Sequence, residues 1–154
     1  MGRPMQIQID TREHAAERDR IEQQLDAVGV QHFRSKLYVG DYMSLDNPRK
    51  VIDRKKDLGE LCNNVTQQHE RFRAELVRAK ESGIQIIILC EHGGNIRQLE
   101  DVFFWDNPRR RHSPKATSGA QLFRSLCTMR DRYGVQFAFC DKRQTGKEIV
   151  RLLS

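Results

Sequence analysis

The stretch VIDRKKDL, from Val51 to Leu58, places a cluster of charges directly after an apolar pair. Val51 and Ile52 predict a short strand, and Asp57 is suited to cap a helix that follows it. Asp53 and Lys55 are two residues apart, so on a strand their side chains leave the same face. This pairing indicates either a solvent-facing ion pair, which is the commoner case, or a site for a charged ligand.

Two earlier segments place further carboxylates at the ends of predicted strands. Asp10 ends the alternating segment MQIQID, and Asp41 follows Gly40 in the segment VGDY. If the strands that carry Asp41 and Asp53 pair as a hairpin, these two side chains converge. Gathered carboxylates suit Mg²⁺ or Mn²⁺, and a nearby lysine can stabilise charge on a phosphate. Each motif alone is more often a turn, a cap or an ion pair, but their order and strand context favour a site.

Strand and helix patterns follow one another along the chain in the order β-α-β-β-β-α-β-α-β-α. The wholly apolar run IQIIILC predicts a central strand that is covered on both faces. This order predicts an α/β fold, a mixed sheet with helices on both faces, in a single domain over residues 1–154. Four local predictions accompany it: a three-strand meander over residues 31–55, a turn at Asp46–Pro48, one helix over residues 57–83, and Thr145 as the cap of the last helix.

The positive charge lies in the last third of the chain. Residues 106–154 carry 11 Lys and Arg against 4 Asp and Glu, whereas residues 1–105 carry 16 against 17. A basic region beside a neutral body indicates either a nucleic-acid partner or a surface that serves solubility. The predicted DNA-contacting side chains are Arg109, Arg110, Arg111, Lys115, Lys142, Arg143 and Lys147.

The four cysteines, Cys62, Cys90, Cys127 and Cys140, are far apart in the sequence. Their positions in helical patterns and at the ends of apolar runs predict buried free thiols in a reducing compartment, and a zinc site would need assembly of residues far apart in the sequence. The amino-terminal segment lacks the apolar core of a signal peptide, and no apolar run is long enough to span a membrane. We therefore expect a cytoplasmic protein without a membrane partner.

Three segments together resemble the nuclease signature of the XPF family. They are IDTRE (residues 9–13), VGDY (residues 39–42) and VIDRKKDL (residues 51–58). This family includes the archaeal Hef nuclease and belongs to the PD-(D/E)-x-K nucleases. The resemblance covers the first half of the chain well, and the second half matches in the order of helices and strands. It implies a restriction-endonuclease-like fold, Mg²⁺ or Mn²⁺ as cofactor, DNA as substrate and a homodimer.

The same resemblance implies a role for each matching residue. The implied catalytic set consists of Asp10, Arg12, Glu13, Asp41, Asp53, Arg54 and Lys55. Asp41 and Asp53 would hold the metal with Asp10 completing the site, Lys55 would be the catalytic lysine, and Arg54 would occupy the family's conserved arginine position. The chain departs from the family at Asp53, where a glutamate is usual. It also departs at Asp57, which follows Lys55 by two residues instead of four and is therefore expected to be only a helix cap.

These observations leave three functional hypotheses. The first is a metal-dependent DNA endonuclease, selective for branched or flap DNA in repair or recombination, without the helix-hairpin-helix module of many relatives and similar to the small standalone nuclease domains of phage and bacterial genomes. The second is a nucleic-acid-binding module that keeps the fold without catalysis, and the third is a structural or adaptor protein that binds no metal. The joint presence of the carboxylates and Lys55 favours the enzyme. Glu91, at the end of the IQIIILC strand, is explained equally well as a carboxylate that reaches the same edge of the sheet and as a loop carboxylate.

Overall fold

The computed structural model describes residues 4–154, and its framework is a six-stranded sheet in the order β2-β1-β3-β4-β5-β6. The strands are β1 (Gln6–Ile9), β2 (Gln31–Arg34), β3 (Tyr42–Ser44), β4 (Asn47–Lys55), β5 (Gln85–Cys90) and β6 (Gln136–Phe139). β3 runs antiparallel to both of its neighbours, β1 and β4, and every other pair of neighbouring strands is parallel. Five strands therefore end at one edge of the sheet, which we call the carboxyl edge.

Helices cover both faces of this sheet and bury a separate apolar cluster on each. The helices are α1 (Ala15–Ala27), α2 (Leu58–Val65), α3 (His69–Glu81), α4 (Gly119–Tyr133) and α5 (Thr145–Leu153), with 3₁₀ helices at Leu99–Phe104, Pro108–Arg111 and Lys142–Gln144. One cluster joins α2, α3 and α4 to the sheet, and the other joins α1 and α5 to it. Strand β5 alternates between the clusters, with Ile86 and Ile88 on the first face and Ile87 and Leu89 on the second. The predicted mixed sheet with helices on both faces is confirmed.

Local capping signals explain where two of the helices begin. The Asp57 carboxylate accepts a hydrogen bond from the Glu60 amide at 2.9 Å, so Asp57 caps α2 as predicted. Ser118 and Gln121 form a reciprocal capping box at the start of α4, and Gly134 ends that helix in the left-handed conformation. Between residues 4 and 154, no helix has the length and apolar character needed to cross a bilayer.

The meander predicted for residues 31–55 is wrong in its first strand. β2 pairs in parallel with β1 at the edge of the sheet, because α1 carries the chain back to the end from which β1 started. β3 and β4 do form the predicted hairpin, but its turn lies at Leu45 and Asp46, and β4 already begins at Asn47.

The single helix predicted for residues 57–83 is in fact two helices, α2 and α3. They are separated at Thr66–Gln68, where the Thr66 hydroxyl donates to the Cys62 carbonyl at 2.8 Å. Such local side-chain bonds compete with continuation of a helix. Thr145 is also not a cap, because it is the first residue of α5 and its buried hydroxyl donates to Glu91.

Candidate active site

Three carboxylates lie side by side on adjacent strands at the carboxyl edge. Ile9 is paired with Tyr42, and Tyr42 is paired with Ile52. One residue further along, the Asp10 amide donates to the Asp41 carbonyl at 2.8 Å and the Asp41 amide donates to the Ile52 carbonyl at 2.7 Å.

Asp10, Asp41 and Asp53 thus occupy neighbouring positions on the face that α2 and α3 cover. Strands in a sheet are about 4.8 Å apart, so carboxylates on successive strands are within reach of one ligand. The predicted convergence of Asp41 and Asp53 follows from this register.

Gly40 is the residue that allows Asp41 to enter this row. Its φ angle is +80°, and a Cβ at this position would lie 2.9 Å from Cγ2 of Val51. A side chain would therefore be strained by the backbone conformation and would also collide with β4. The glycine of the Gly-Asp pair therefore allows the backbone to approach β4 closely, in addition to favouring a turn.

Asp41 and Asp53 form a poorly neutralised pair of acids. Burial, together with the negative charges of Asp53 and Glu13, raises the pKa of Asp41 well above its ordinary value, although the Arg54 amide donates to Asp41 Oδ2 at 2.8 Å. The nearest cation is Lys55, whose Nζ lies 3.5 Å from Asp53 Oδ2 and above the Phe72 ring. Burial alone would lower the pKa of Lys55, but the negative charges of Asp53, Glu60, Asp41 and Glu75 together outweigh burial and raise that pKa, so Lys55 keeps its proton.

Asp10 differs from its two neighbours because its charge is already matched. Arg12 Nε donates to Asp10 Oδ2 at 2.8 Å, and the Leu37 amide donates to Oδ1 at 2.8 Å. The hydrogen bond to Asp10 also raises the pKa of Arg12. Arg12 is exposed, so its pairing with Asp10 places a solvent-facing guanidinium at the edge of the row of three aspartates.

Helix α3 closes the row into a cleft of about 270 Å³ and contributes residues that the sequence analysis missed. Arg71, Glu75 and Arg78 line this cleft together with Tyr38, whose ring lies 5.4 Å from the Arg78 guanidinium. Burial and the charge of Asp53 raise the pKa of Glu75 to about 7. The i, i+4, i+7 spacing of the three α3 residues is a signal that could have found them, since it marks one stripe of a helix.

Glu13 and Arg54 lie on the opposite face of the sheet from the cleft. Arg54 follows Asp53, so its side chain leaves the α1/α5 face, where its Nε lies 2.9 Å from Glu13 Oε2 and its Nη1 lies 2.6 Å from Glu91 Oε1. The Tyr42 hydroxyl donates to Glu13 at 2.8 Å. Burial would raise the pKa of Glu13, but Arg54 outweighs it and keeps that pKa below its ordinary value.

The remaining partners of Glu91 come from α1 and α5. Arg20 donates to Glu91 Oε2 at 2.8 Å, and Thr145 donates to the same oxygen. Gly146 in the segment QTGKE allows α5 to approach α1, because a Cβ there would lie 2.6 Å from Gln24 Cβ. This glycine therefore serves helix packing, and Glu91 belongs to a buried ion-pair network rather than to the cleft.

Comparison with known families assigns almost the whole chain to one domain family. The model of the ERCC4 domain matches residues 9–152. The chain belongs to the ERCC4 domain family. The resemblance to XPF nucleases drawn from three short segments is thereby confirmed.

Two solved structures share the fold of this ERCC4 domain. XPF from Aeropyrum pernix superposes with a TM-score of 0.69 at 19% identity, over 96% of this chain and 63% of that chain. XPF from Aeropyrum pernix in complex with DNA gives a TM-score of 0.68 at 22% identity, over 98% of this chain and 64% of that chain. The chain thus spans less than two thirds of either solved chain. Comparison with curated proteins gave no significant match.

The basic residues predicted to contact DNA are all exposed in this ERCC4 domain. Arg109, Arg110 and Arg111 form a 3₁₀ helix, with Lys115 in the following loop, and Lys142 and Arg143 follow β6, with Lys147 in the first turns of α5. Arg143 pairs with Asp141 at 2.9 Å, whereas no ion pair involves Lys142 or Lys147 within residues 4–154.

The cysteines do not form a metal site. All four are free, as predicted, but only Cys62 and Cys90 are buried as predicted, whereas Cys127 and Cys140 are partly exposed. Across the described part of the chain, no three His, Cys, Asp or Glu side chains are grouped closely enough to hold a metal by themselves. A cation in the cleft would therefore rest on the pair Asp41 and Asp53, and phosphate or water oxygens would have to complete its coordination.

Proposed function

We propose that this ERCC4 domain is a divalent-metal-dependent endonuclease that hydrolyses DNA phosphodiester bonds in the cleft between β3, β4 and α3. The observation that carries the proposal is the row of Asp10, Asp41 and Asp53 on three adjacent strands, with Lys55 Nζ 3.5 Å from Asp53. The DNA-bound XPF of Aeropyrum pernix, which shares the fold, supports DNA as the ligand.

The donor set of the cleft fits a hard divalent cation such as Mg²⁺ or Mn²⁺. Asp41 and Asp53 offer carboxylate oxygens, and burial together with the negative charges of Asp53 and Glu13 raises the pKa of Asp41. Lys55 is the one side chain in an ion pair with Asp53, and no ion pair reaches Asp41 within residues 4–154, so a bound cation would add positive charge beside both acids. A bound cation would supply Lewis-acid activation of the phosphate and of a water molecule.

The chain's own cations would orient the DNA around these acids. Lys55 stays protonated beside Asp53, so it acts as a fixed positive charge that stabilises negative charge developing on the phosphate oxygens. Arg71 and Arg78 project from α3 into the same cleft, and Arg12 lies at its Asp10 end. These arginines offer bidentate donors to the neighbouring phosphates of the strand.

Arg54 and Glu13 have a positioning role in this proposal. The resemblance implies a direct catalytic role for both residues, and that role stays a prediction. Both side chains lie on the face of the sheet opposite to the cleft. Their ion pair fixes the end of β4, and the Arg54 amide holds the Asp41 carboxylate at 2.8 Å. Through these contacts they set the direction in which Asp41 and Asp53 point.

A cleavage assay with matched variants tests the proposal. Labelled single-stranded, duplex, flap and junction DNAs are incubated with the protein and Mg²⁺, Mn²⁺ or a chelator. Asp53→Asn and Lys55→Met are compared with Asp46→Asn and Lys56→Met, which remove the same charges from exposed positions. We expect cleavage with either metal, and a loss of about 100-fold or more only in the two cleft variants.

Binding measured beside cleavage separates the enzyme from the binding module. Cleft variants that bind DNA but do not cut it support Asp53 and Lys55 as parts of the catalytic machinery. If neither the wild type nor the control variants cut any of these DNAs while all bind them with a strong salt dependence, the proposal is wrong and the non-catalytic module is the correct hypothesis.

The finer expectations extend this proposal. A standalone domain, a preference for branched or flap DNA, self-association, a cytoplasmic location and a role in repair or recombination stay predictions. The panel of DNA structures tests the preference, and sedimentation of the purified protein tests self-association.

A further inference from the structure

A second cavity, of about 590 Å³, opens at the carboxyl edge, and its walls are largely aromatic and apolar. Its lining includes Phe104 and Trp105 on one side and His92 and Ile96 on the other, with Arg109 at the rim. Phe104 is 82% exposed, which is the highest value among the large hydrophobic side chains described. Nothing in the proposed reaction uses these residues.

The walls of this aromatic pocket are held by the fold. The His92 ring meets the Trp105 ring edge-on at 6.2 Å, and His92 Nδ1 accepts a hydrogen bond from the Leu58 amide at 3.1 Å. On the other side, the backbone of Val102 and Trp105 packs against Gly119, where a Cβ would lie 2.5 Å from the Trp105 carbonyl oxygen. The pocket is therefore anchored to both α2 and α4 and does not depend on a loop rearranging.

The charge around the pocket favours a polyanion. The Pro108–Arg111 helix presents three exposed arginines beside it, and Arg109 lines it directly. Two acidic residues also line the pocket, and each already has a partner in the protein. Asp57 accepts the Glu60 amide at 2.9 Å, and Asp106 lies 4.0 Å from Arg111.

The pocket lies close to the catalytic lysine of the proposed reaction. Asp57 lines the pocket and follows Lys55 by two residues, so their Cα atoms are at most about 7 Å apart. We propose that this pocket takes an unpaired nucleobase of the DNA strand whose backbone passes the carboxylate cleft, with the base stacked on Phe104 or Trp105. The inference rests on the proposed function, since it assigns the cleft a substrate with at least one unpaired base.

A second copy of this chain fits the pocket less well than a base does. A two-fold contact through Phe104 would bring the three arginines of each copy towards one another, and like charges at an interface are unfavourable. Base stacking on aromatic rings beside arginines, in contrast, is the usual chemistry of single-strand binding. If a flat apolar amino-acid side chain of another protein filled the pocket, the three arginines beside it would have no negatively charged partner.

Trp105 provides the measurement because it is the only tryptophan of the chain. Its fluorescence is titrated, in chelator so that no cleavage occurs, with oligothymidylate, with an abasic strand of equal length and charge, and with blunt duplex. We expect strong quenching by oligothymidylate and little by the other two. Phe104→Ala should weaken oligothymidylate binding by about 5- to 100-fold. The control Phe33→Ala removes an exposed ring on β2, four strands from β5, and should have no effect.

The outcomes separate this inference from the proposed function. Equal quenching by the thymidylate and abasic strands, or equal binding by Phe104→Ala and wild type, overturns the pocket even if the protein cuts DNA. Base-dependent quenching supports the pocket even if no metal restores cleavage. A fluorescence change on dilution of the protein alone, with a dimer in sedimentation that Phe104→Ala abolishes, assigns the pocket to a second copy and also overturns the inference.

Discussion

Replacing Arg54 with methionine would remove the one cation that two buried carboxylates share. The Arg54 side chain is 6% exposed, and those of Glu13 and Glu91 are 5% and 2% exposed. Its guanidinium lies 2.9 Å and 3.0 Å from the two Glu13 oxygens and 2.6 Å from Glu91 Oε1. Methionine fills much of the same space but offers no charge or donor, so both carboxylates would remain buried with fewer partners.

Breaking a buried ion pair from one side costs about 3–5 kcal/mol, because a charge is left without compensation. Domains of this size have a free energy of unfolding of about 5–15 kcal/mol, so the loss would be a large part of the total. With a urea m value of about 2 kcal/mol/M, the midpoint of urea unfolding should fall by roughly 1.5–2.5 M. Circular dichroism and Trp105 fluorescence would follow the transition in parallel.

A matched control shows whether burial causes the loss. Arg34, whose side chain is 46% exposed, pairs with Glu22 at 2.6 Å, so Arg34→Met removes an equally short ion pair from a site far more accessible to water than that of Arg54. Exposed pairs contribute little, and we expect the urea midpoint to stay close to that of the wild type. The double variant Glu13→Gln/Arg54→Met should recover part of the stability lost in Arg54→Met, since it removes one of the stranded charges.

The stability lost in Arg54→Met should depend on pH, and the direction of this dependence follows from the pKa of Glu13. In the wild type, the pKa of Glu13 lies below its unfolded value of about 4.3, so its stabilisation is present above that pH and is lost as the pH falls below it. Without Arg54, burial would raise the pKa of Glu13, and protonation would then stabilise the fold. The stability gap between wild type and Arg54→Met should therefore narrow as the pH is lowered from about 7 to about 5. Equal losses in Arg54→Met and Arg34→Met, or a gap that widens on acidification, would refute the buried-network argument.

Three further predictions test the fold and the interface. Gly40→Ala should destabilise the protein by about 2–3 kcal/mol in urea unfolding, whereas Gly29→Ala, with a similar φ of +73° but no atom within 4 Å of its Cβ, should cost only about 1 kcal/mol. Ser118→Ala should lose about 1 kcal/mol with the capping box of α4, and the exposed Ser125→Ala on the same helix should change stability by less than about 0.5 kcal/mol; equal losses would contradict the capping assignment. Replacing Arg109, Arg110 and Arg111 together by Gln should reduce the slope of log affinity for DNA against log salt by about two to three, with the exposed Arg49→Gln, near the amino-terminal end of β4, as the control.

Local signals were sufficient for much of the fold. The apolar run of β5 and the capping carboxylate of Asp57 each act within a few residues, so the sequence alone predicts them. The position of β2 is a matter of non-local pairing. A strand, a helix and a second strand favour parallel pairing, yet the segment between β2 and β3 suggested a hairpin, and nothing local distinguishes the two arrangements.

The candidate site divides in the same way. Asp41 and Asp53 converge as predicted, because strand register follows from the hairpin of β3 and β4. The resemblance groups Arg54 and Glu13 with Asp41 and Asp53 because it compares residues in sequence order. Neighbouring residues on a strand point to opposite faces of the sheet, so the side chain of Arg54 leaves the face opposite to that of Asp53. Glu75 was missed because its place in the cleft depends on how α3 packs after the break at Thr66–Gln68, which was not predicted.

The acidic side chains on the two faces of the sheet differ in how they are paired, and this difference supports the cleft as the functional site. On the α1/α5 face, Glu13 and Glu91 are paired with Arg54 and Arg20, so their charges are balanced within the protein. On the α2/α3 face, Lys55 is the only side chain within residues 4–154 that forms an ion pair with Asp41 or Asp53, and the pKa values of Asp41 and Glu75 are raised. A fold that balances acids on one face could balance them on the other. Arg71 and Arg78 line the cleft but form no ion pair with Asp41 or Asp53 within residues 4–154, so these two acids stay available to the cation that the proposed function requires.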